Sequence, residues 1–355
     1  SNKYYENDFY RQTYLNDEEK QLLQSNQNYN SIKPILDRNL RDFMHHYRLK
    51  INLNRKKWIA NNCWFRNQWP EYEGDLNYNV FKSFLKLLVK ERKIEDCCFY
   101  INLRDFPILR KNLTHPFEHL YDDKEIKIAN YKKMCPIFSQ SITNKNADLL
   151  IPTNDDIIRV TQKYYTDKCD DQYSNEKDKL INRTWSKKID KAVFRGGATG
   201  CGININTNPR LKVAKLGVEH PDVMNTGITD WNAKPKKHSG HPLEVIDIKM
   251  LNDMGIQLVD GIDNIEKSNY KYIINVDGSV SAFRLGYELS MNSVILKVNS
   301  DYKMWYSDLL EPMVHYIPIK KDCSDLVKKI EWCRKNDDKC KKIAQNAVKF
   351  YKKYL

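Results

Sequence analysis

Asp105 is a carboxylate placed at the end of a predicted strand. It lies within the segment CCFYINLRDFP at residues 97–107, whose residues 98–103 are almost entirely apolar and β-branched or aromatic, which predicts a buried strand. Pro107 ends this strand, because a proline cannot donate to the sheet and restricts the residue before it. A carboxylate at a strand end can act as a general base. A turn or helix-cap role is the alternative for an aspartate in this place.

Two glycine-containing segments follow predicted strands further along the chain. The first, FRGGATGCG, spans residues 194–202, and the second starts with DGS at residues 277–279. In a parallel α/β sheet, ligands bind beyond the carboxyl ends of the strands, where a small-residue turn lets backbone amides approach phosphate. Arg284 follows within about one helical turn and can donate to a diphosphate. Neither segment matches a P-loop or a dinucleotide fingerprint, so an ordinary βα turn and a structural loop remain alternatives.

The elements that must position these residues alternate between helix and strand. Such alternation predicts an α/β fold with a mostly parallel sheet. The polar residues 165–183 predict a domain crossing, and residues 1–60 are predicted to be mainly helical. The predicted strands are residues 98–103, 192–194, 271–276, 294–298 and 314–319, and the predicted helices are residues 80–90, 281–289, 323–335 and 338–354.

Composition and charge exclude several classes of protein. The chain has 355 residues, of which 41% are hydrophobic, enough to bury a core. No apolar run approaches the roughly 18 residues of a spanning helix, so no integral membrane segment is expected. The net charge of +13 favours an anionic partner. Because no zinc finger, RNA-recognition strand motif or basic zipper is present, nucleic acid is not the expected partner.

The sequence offers no obvious metal site. None of the nine cysteines forms a C-x-x-C pair, which argues against a zinc ribbon. The absence of an Asp-x-Asp motif argues against a sugar-nucleotide enzyme that holds diphosphate through a divalent ion. We therefore expect neither a metal nor a cofactor.

The richness in Asn, Lys, Ile and Tyr is typical of AT-rich genomes, such as those of protists or large DNA viruses.

Six short segments, taken in order, resemble one family. From about residue 97 to the C-terminus the sequence is similar to the Rumi-type protein O-glucosyltransferases and the fungal capsule-associated xylosyltransferases. The combination is specific because each piece keeps its order and spacing. The pieces are INLRDFP (101–107), PIFS (136–139), DLLIP (148–152), the stretch from Trp185 to FRG (194–196), KYIINVDGSVSAFR (271–284) and EPMVHYIPIKKDCSDL (311–326).

This resemblance implies a GT-B architecture, in which two Rossmann-like domains face each other across a cleft. Residues 1–60 would form a helical extension, residues 61–185 the acceptor-side domain that carries the base, and residues 186–355 the nucleotide-sugar domain. The resemblance also implies an inverting, metal-independent transfer from a UDP-sugar, with glucose or xylose as the sugar. The acceptor would be a free hydroxyl on a protein or a glycan. A catalytically silent nucleotide-sugar-binding protein of the same fold is the alternative.

The resemblance also assigns residues. Asp105 matches the catalytic base of the family. The positions of the family's UDP and donor-sugar site correspond here to Gly197, Thr199, Arg210, Ser279, Val280, Ser281, Ala282, Phe283, Arg284, Asp148 and Ile151. Ile151 stands where the family often has an aromatic residue near the donor sugar. Members of the family work in the ER or Golgi lumen, but the sequence shows neither a signal peptide nor a retention signal, so a cytoplasmic location, for instance as a viral protein in a host cell, also remains open.

Overall fold

A computed structural model describes most of the C-terminal half of the chain and parts of the N-terminal half. The described residues are 50–52, 63–64, 76–94, 98–102, 105–107, 111, 137–161, 183–200, 202–233, 236–237 and 243–355. They fall into two compact units, Ser1–Ile157 and Ile158–Leu355. Apart from Lys50–Asn52, which is a strand, the predicted helical region 1–60 lies outside the described residues. The predicted domain boundaries stay predictions.

The first unit contains strands and two helices. The strands are β1 (Lys50–Asn52), β2 (Cys63–Trp64), β3 (Cys98–Ile101), β4 (Ile137–Ser139), β5 (Ile142–Thr143) and β6 (Leu149–Leu150), and the helices are α1 (Leu76–Glu91) and α2 (Asn154–Thr161), whose last residues belong to the second unit. Five of the strands form a sheet in the order β2-β1-β3-β4-β6. Strands β3, β4 and β6 are parallel to one another, and β1 is antiparallel to β2 and β3.

Helix α1 and strand β3 confirm two predictions. The helix expected at residues 80–90 begins four residues earlier, and it buries Val80, Phe81, Leu85 and Val89. These positions recur at helical spacing, so they form one apolar face. The strand expected at residues 98–103 is β3, which ends at Ile101.

The second unit is built on a parallel sheet, which confirms the predicted α/β class. The strands of this unit are β7 (Ile189–Gly196), β8 (Met224–Ile228), β9 (Lys236–Lys237), β10 (Leu243–Glu244), β11 (Tyr270–Asn275), β12 (Val294–Val298), β13 (Tyr302–Lys303) and β14 (Ile317–Ile319). The parallel sheet has the strand order β14-β12-β11-β7-β8. The helices are α3 (Pro209–Glu219), α4 (Ile248–Asp253), α5 (Asn264–Lys267), α6 (Leu285–Glu288), α7 (Leu326–Lys335) and α8 (Asp337–Tyr354), with short 3₁₀ helices at Trp185–Lys187 and Ser307–Leu309.

Both faces of this sheet are buried. Along β7, Phe194 packs into one hydrophobic cluster and Val193 into another. The same alternation places Leu296 of β12 in the first cluster and Ile295 in the second. Successive side chains of a strand point to opposite faces, so the sheet lies between two apolar layers, as parallel sheets do. Within the described ranges, no helix combines the length and the apolar character that a membrane span requires.

Two elements are shorter than predicted, for local reasons. The helix predicted at residues 281–289 is only α6, because Asp277 accepts the amide of Ala282 at 2.8 Å and so holds a turn before the helix. The strand predicted at residues 314–319 begins at Ile317. A tight turn precedes it, in which Met313 has φ 62° and its amide donates to Tyr316.

Candidate functional site

The candidate site in the second unit lies at the carboxyl ends of β7 and β11, which are neighbouring parallel strands. The chain leaves β7 into the glycine loop, residues 197–200 and 202, and leaves β11 into the serine loop, residues 276–284. Parallel strands end at the same edge of a sheet, so the two loops are brought together. We call these loops together with Arg210 and Arg284 the arginine cradle.

Arg284 has donors that remain available for a ligand. Its Nη1 donates to the carbonyl of Arg195 at 2.9 Å, and its guanidinium lies 5.2 Å from the ring centre of Phe194. Its Nε is 3.3 Å from Oε1 of Glu288 as an ion pair. Among the described residues, Nη2 has no hydrogen-bond partner. Nη2 itself is buried, whereas the side chain as a whole is 28% exposed.

Arg210, by contrast, uses its guanidinium within the protein. Its Nε donates to the carbonyl of Asp277 at 3.0 Å, Nη1 to Gly197 at 3.0 Å and Nη2 to Val276 at 3.2 Å. The side chain thus joins the glycine loop to the serine loop. Burial and the charge of Arg284 lower the pKa of Arg210 to about 10, so it stays protonated at neutral pH and carries a positive charge into the cradle.

Close packing explains a glycine in the serine loop. A Cβ on Gly278 would lie 2.4 Å from Oγ1 of Thr199 and 3.1 Å from Nη2 of Arg210. Such distances are too short for a side chain at this position, so only glycine lets the two loops and the Arg210 side chain approach this closely.

The serine loop presents backbone amides. Gly278 donates to the carbonyl of Val280 at 3.2 Å, and the Asp277 carboxylate takes the Ala282 amide. Burial raises the pKa of Asp277, against the effect of its hydrogen bonds and of the ammonium of Lys297. In the described part of the chain, the amides of Ser279 and Phe283 donate to no protein acceptor. Backbone amides of this kind beside two arginines suit the oxygens of an anion.

Glu288 is a further member of the site and was not among the residues predicted from the sequence. It is 1% exposed, and Oε2 accepts from Nδ2 of Asn275 at 2.7 Å. Its Oε1 lies 3.5 Å from Nζ of Lys267, whose pKa is lowered by burial although Glu288 opposes that shift. The carboxylate therefore offsets part of the cradle's positive charge. The available signal was the Arg284–Glu288 spacing of four residues on a helix.

Asn208 was missed as well. It caps α3, and its side chain accepts the backbone amides of Arg210 and Leu211. Because Arg210 is the second residue of α3, this cap fixes the start of the helix that carries it. The signal was an asparagine followed by Pro209, the usual pair at a helix N-terminus.

The predicted base lies in the first unit, after β3. Asp105 is exposed in a bend, and the neighbouring Phe106 carbonyl accepts Nδ2 of Asn102 at 2.6 Å. Nδ2 of Asn102 also donates to Oγ of Ser139 at 3.1 Å, and that hydroxyl donates to Oδ1 of Asp148 at 2.7 Å. Asn102, Ser139 and Asp148 are buried. These hydrogen bonds therefore connect the bend that contains Asp105 to buried side chains of the same unit.

The predicted site residues thus fall into two groups. The second unit brings together Gly197, Thr199, Arg210 and the serine-loop residues Ser279, Val280, Ser281, Ala282, Phe283 and Arg284. In the first unit, Ile151 follows β6, is 8% exposed and donates its amide to the carbonyl of Ser139 at 3.1 Å, close to Asp148. No group of three or more His, Cys, Asp or Glu side chains among the described residues is arranged to hold a metal ion.

Several known proteins are similar to this chain over most of its length. The sequence matches glycosyl transferase family 90 over residues 41–355. It is 42% identical over 315 residues to uncharacterized protein 035R of Invertebrate iridescent virus 3, covering 86% of this chain and 28% of the relative. It is 27% identical over 301 residues to protein O-glucosyltransferase 2 of Danio rerio, covering 84% of this chain and 51% of that protein. The chain therefore spans between about a quarter and a half of the length of these relatives.

Among solved structures, a glycosyltransferase from Rickettsia africae aligns with 61% of this chain and 58% of its own, at 12% identity and a TM-score of 0.36. A similarity this low carries no argument about the arrangement of the two units.

Proposed function

The chain belongs to glycosyl transferase family 90, and we propose that it is an inverting, metal-independent enzyme of GT-B architecture that uses a UDP-sugar. The acceptor is a hydroxyl on a protein or a glycan, and the sugar is glucose or xylose. The names of the animal relatives, protein O-glucosyltransferases 2 and 3, support glucose and a protein acceptor.

The observation that carries this proposal is the state of Arg284. Its guanidinium is held on one side by Glu288 and the Arg195 carbonyl, while Nη2 has no partner among the described residues. A buried, unpaired donor of a charged group is costly unless a ligand satisfies it. A diphosphate, with charge spread over several oxygens, suits an arginine beside free backbone amides.

The proposed reaction needs one base and one anion-stabilising group. The acceptor hydroxyl attacks the anomeric carbon, and the side chain of Asp105 takes the proton of that hydroxyl. The bond between that carbon and the UDP oxygen breaks, and negative charge grows on the leaving diphosphate. Arg284 and the amides of the serine loop stabilise this charge, while Arg210 holds the two loops and adds its own charge. Asp148 and Ile151 belong to the donor-sugar side of this proposal.

The test of the nucleotide site is calorimetric titration with UDP. Replacing Arg284 by alanine should weaken UDP binding by roughly 10- to 100-fold, because a hydrogen bond to a charged group contributes about 1.5–3 kcal/mol. Arg334→Ala is the matched control, since it removes an equal charge from an arginine on α7 that pairs with Asp190. An unchanged UDP affinity in Arg284→Ala would remove Arg284 from the site.

A further inference from the structure

Resting on the proposed nucleotide site, we propose that Asn208 is a positioning residue of that site, which ties the glycine loop to the start of α3 and so holds the loop and Arg210 ready for the diphosphate. Asn208 is 1% exposed. It does not reach the ligand itself, and it acts through the groups that its carboxamide binds.

The carboxamide binds two sets of backbone groups at once. On one side, Oδ1 accepts the amides of Arg210 at 3.0 Å and Leu211 at 3.5 Å. On the other, Nδ2 donates to the carbonyls of Ala198 at 3.3 Å, Thr199 at 3.3 Å and Gly202 at 3.0 Å. All partners of the oxygen are donors and all partners of the nitrogen are acceptors, so only this orientation of the amide satisfies both sets.

These two sets of hydrogen bonds explain why residue 208 is asparagine. Serine, threonine and aspartate cap helices as asparagine does, because each offers a side-chain oxygen. Aspartate has no donor when ionised, and a serine hydroxyl is a single short group. Asparagine carries an acceptor and an NH₂ donor at opposite sides of one planar group, so it can cap α3 and hold the loop carbonyls together.

The loop that Asn208 holds is closely folded against the helix start. A Cβ on Gly202 would lie 2.1 Å from the carbonyl of Thr207. Oγ1 of Thr207 accepts the amides of Ile203 at 3.1 Å and Asn204 at 3.3 Å. The turn between the glycine loop and α3 is therefore internally bonded, and Asn208 fastens its return to the residues that leave β7.

The same tether reaches the serine loop. Thr199, whose carbonyl accepts from Asn208, places its Oγ1 against Gly278, and a Cβ on Gly200 would lie 3.3 Å from the carbonyl of Gly278. Arg210, whose amide Asn208 caps, donates to the carbonyls of Gly197 and Asp277. Loss of the tether should therefore loosen the cradle while leaving the parallel sheet beneath it intact.

Asn208→Ser separates the two roles, because serine keeps the cap and removes the NH₂ donor. In UDP calorimetry the variant should bind about tenfold more weakly than the wild type, because the ligand must then order a loop that the tether already holds in the wild type. Hydrogen exchange should be faster at the amides of residues 198–200, and the melting temperature should fall, because three carbonyls lose their donor. Asp247→Ser, at the exposed cap of α4, is the matched control and should change neither the UDP affinity nor the exchange at residues 198–200.

The outcomes separate this proposal from the proposed function. If the wild type binds UDP and Asn208→Ser binds it equally well, or if Asp247→Ser loses as much affinity, the positioning role is overturned. If the wild type binds no UDP, the proposed function fails, and exchange in the glycine loop still decides the tether: unchanged protection overturns it. Should Asn208→Ser fail to fold, Asn208→Asp, which keeps the cap acceptor and lacks the donor, supports the same comparison.

Discussion

At the residue scale, the two arginines of the cradle do different work. The guanidinium of Arg210 donates to three carbonyls of the two loops, whereas Arg284 keeps Nη2 without a partner in the described part of the chain. Arg210 therefore shapes the cradle and Arg284 is the group that meets the ligand. Substitution of either one should weaken nucleotide binding, but for different reasons, and only loss of Arg210 should also disturb the loops.

The sequence could point to Arg284 but not to its surroundings. A strand, a small-residue turn and an arginine one helical turn later are visible in any reading of residues 271–284. The partners of Glu288 cannot be identified from the sequence, because Lys267 and Asn275 become its neighbours only when β11 and α6 pack together. Side-chain tethers of this kind depend on distances that the sequence does not contain.

Lys188 shows how a buried charge can make stability depend on pH. It is 6% exposed, and its ammonium donates to the carbonyls of Ser268 and Met291 and to the hydroxyl of Ser293. Burial, with a contribution from the charge of Arg183, lowers its pKa to about 7, from an ordinary value of 10.5. Between these two values the unfolded chain holds a proton that the folded chain has lost.

The contribution of Lys188 to folding should therefore become more favourable as the pH rises above 7. The slope cannot exceed about 1.4 kcal/mol per pH unit for one group. We expect the unfolding free energy of the wild type, relative to that of Lys188→Met, to increase between pH 7 and 9 in urea titrations. Lys187→Met replaces the exposed neighbour and should keep the wild-type pH dependence. Parallel curves for wild type and Lys188→Met would contradict the assignment.

At the scale of elements, helix α3, which carries Arg210, packs closely against strand β8. Gly217 of α3 allows this approach, since a Cβ there would lie 1.9 Å from Oγ1 and 3.1 Å from Cβ of Thr226. The Thr226 hydroxyl in turn donates to the carbonyl of Val213 at 3.1 Å. The helix and the strand are therefore in contact at a position where the helix has no side chain.

Gly217→Ala should destabilise the protein although alanine is the better helix former. The propensity gain is about 0.5–1 kcal/mol, and overpacking costs about 1–3 kcal/mol. Thermal unfolding should show a lower melting temperature for Gly217→Ala and a partial recovery in Gly217→Ala/Thr226→Ala. Gly261→Ala, where a Cβ meets nothing within 4 Å, should be close to neutral. A Gly217→Ala variant more stable than the wild type would show that α3 can move away from β8.

Helices and strands were predicted correctly where one local sequence pattern was strong. Strand β12 matches its predicted residues 294–298, and α8 begins one residue earlier than expected, because β-branched runs and amphipathic spacing are strong local patterns. Residues 281–284 of the serine loop were predicted to be helical because the hydrogen bond from the Ala282 amide to the Asp277 side chain has no distinct sequence pattern. Turn geometry set by a side chain thus limits what can be predicted.

At the scale of the whole molecule, the family match covers residues 41–355, which include parts of both compact units. The order of the six motifs, from INLRDFP to EPMVHYIPIKKDCSDL, indicated this family in the sequence. The parallel sheet of the second unit followed from alternating strands and helices. The identity of the sugar and of the acceptor could not be predicted from the sequence. Selectivity between glucose and xylose, for example, depends on one hydroxymethyl group and the shape of one pocket.

The most direct test of the account is the rate of UDP release by wild type and Asp105→Asn. The assay offers UDP-glucose and UDP-xylose, in turn, with protein and glycan acceptors, in buffer containing EDTA. We predict that the wild type turns over in EDTA, whereas Asp105→Asn keeps its UDP affinity and loses roughly 10²–10⁴-fold in rate, as expected for removal of a general base. Near-wild-type turnover by Asp105→Asn would contradict the account, and UDP binding by the wild type without any turnover would favour a catalytically silent binder.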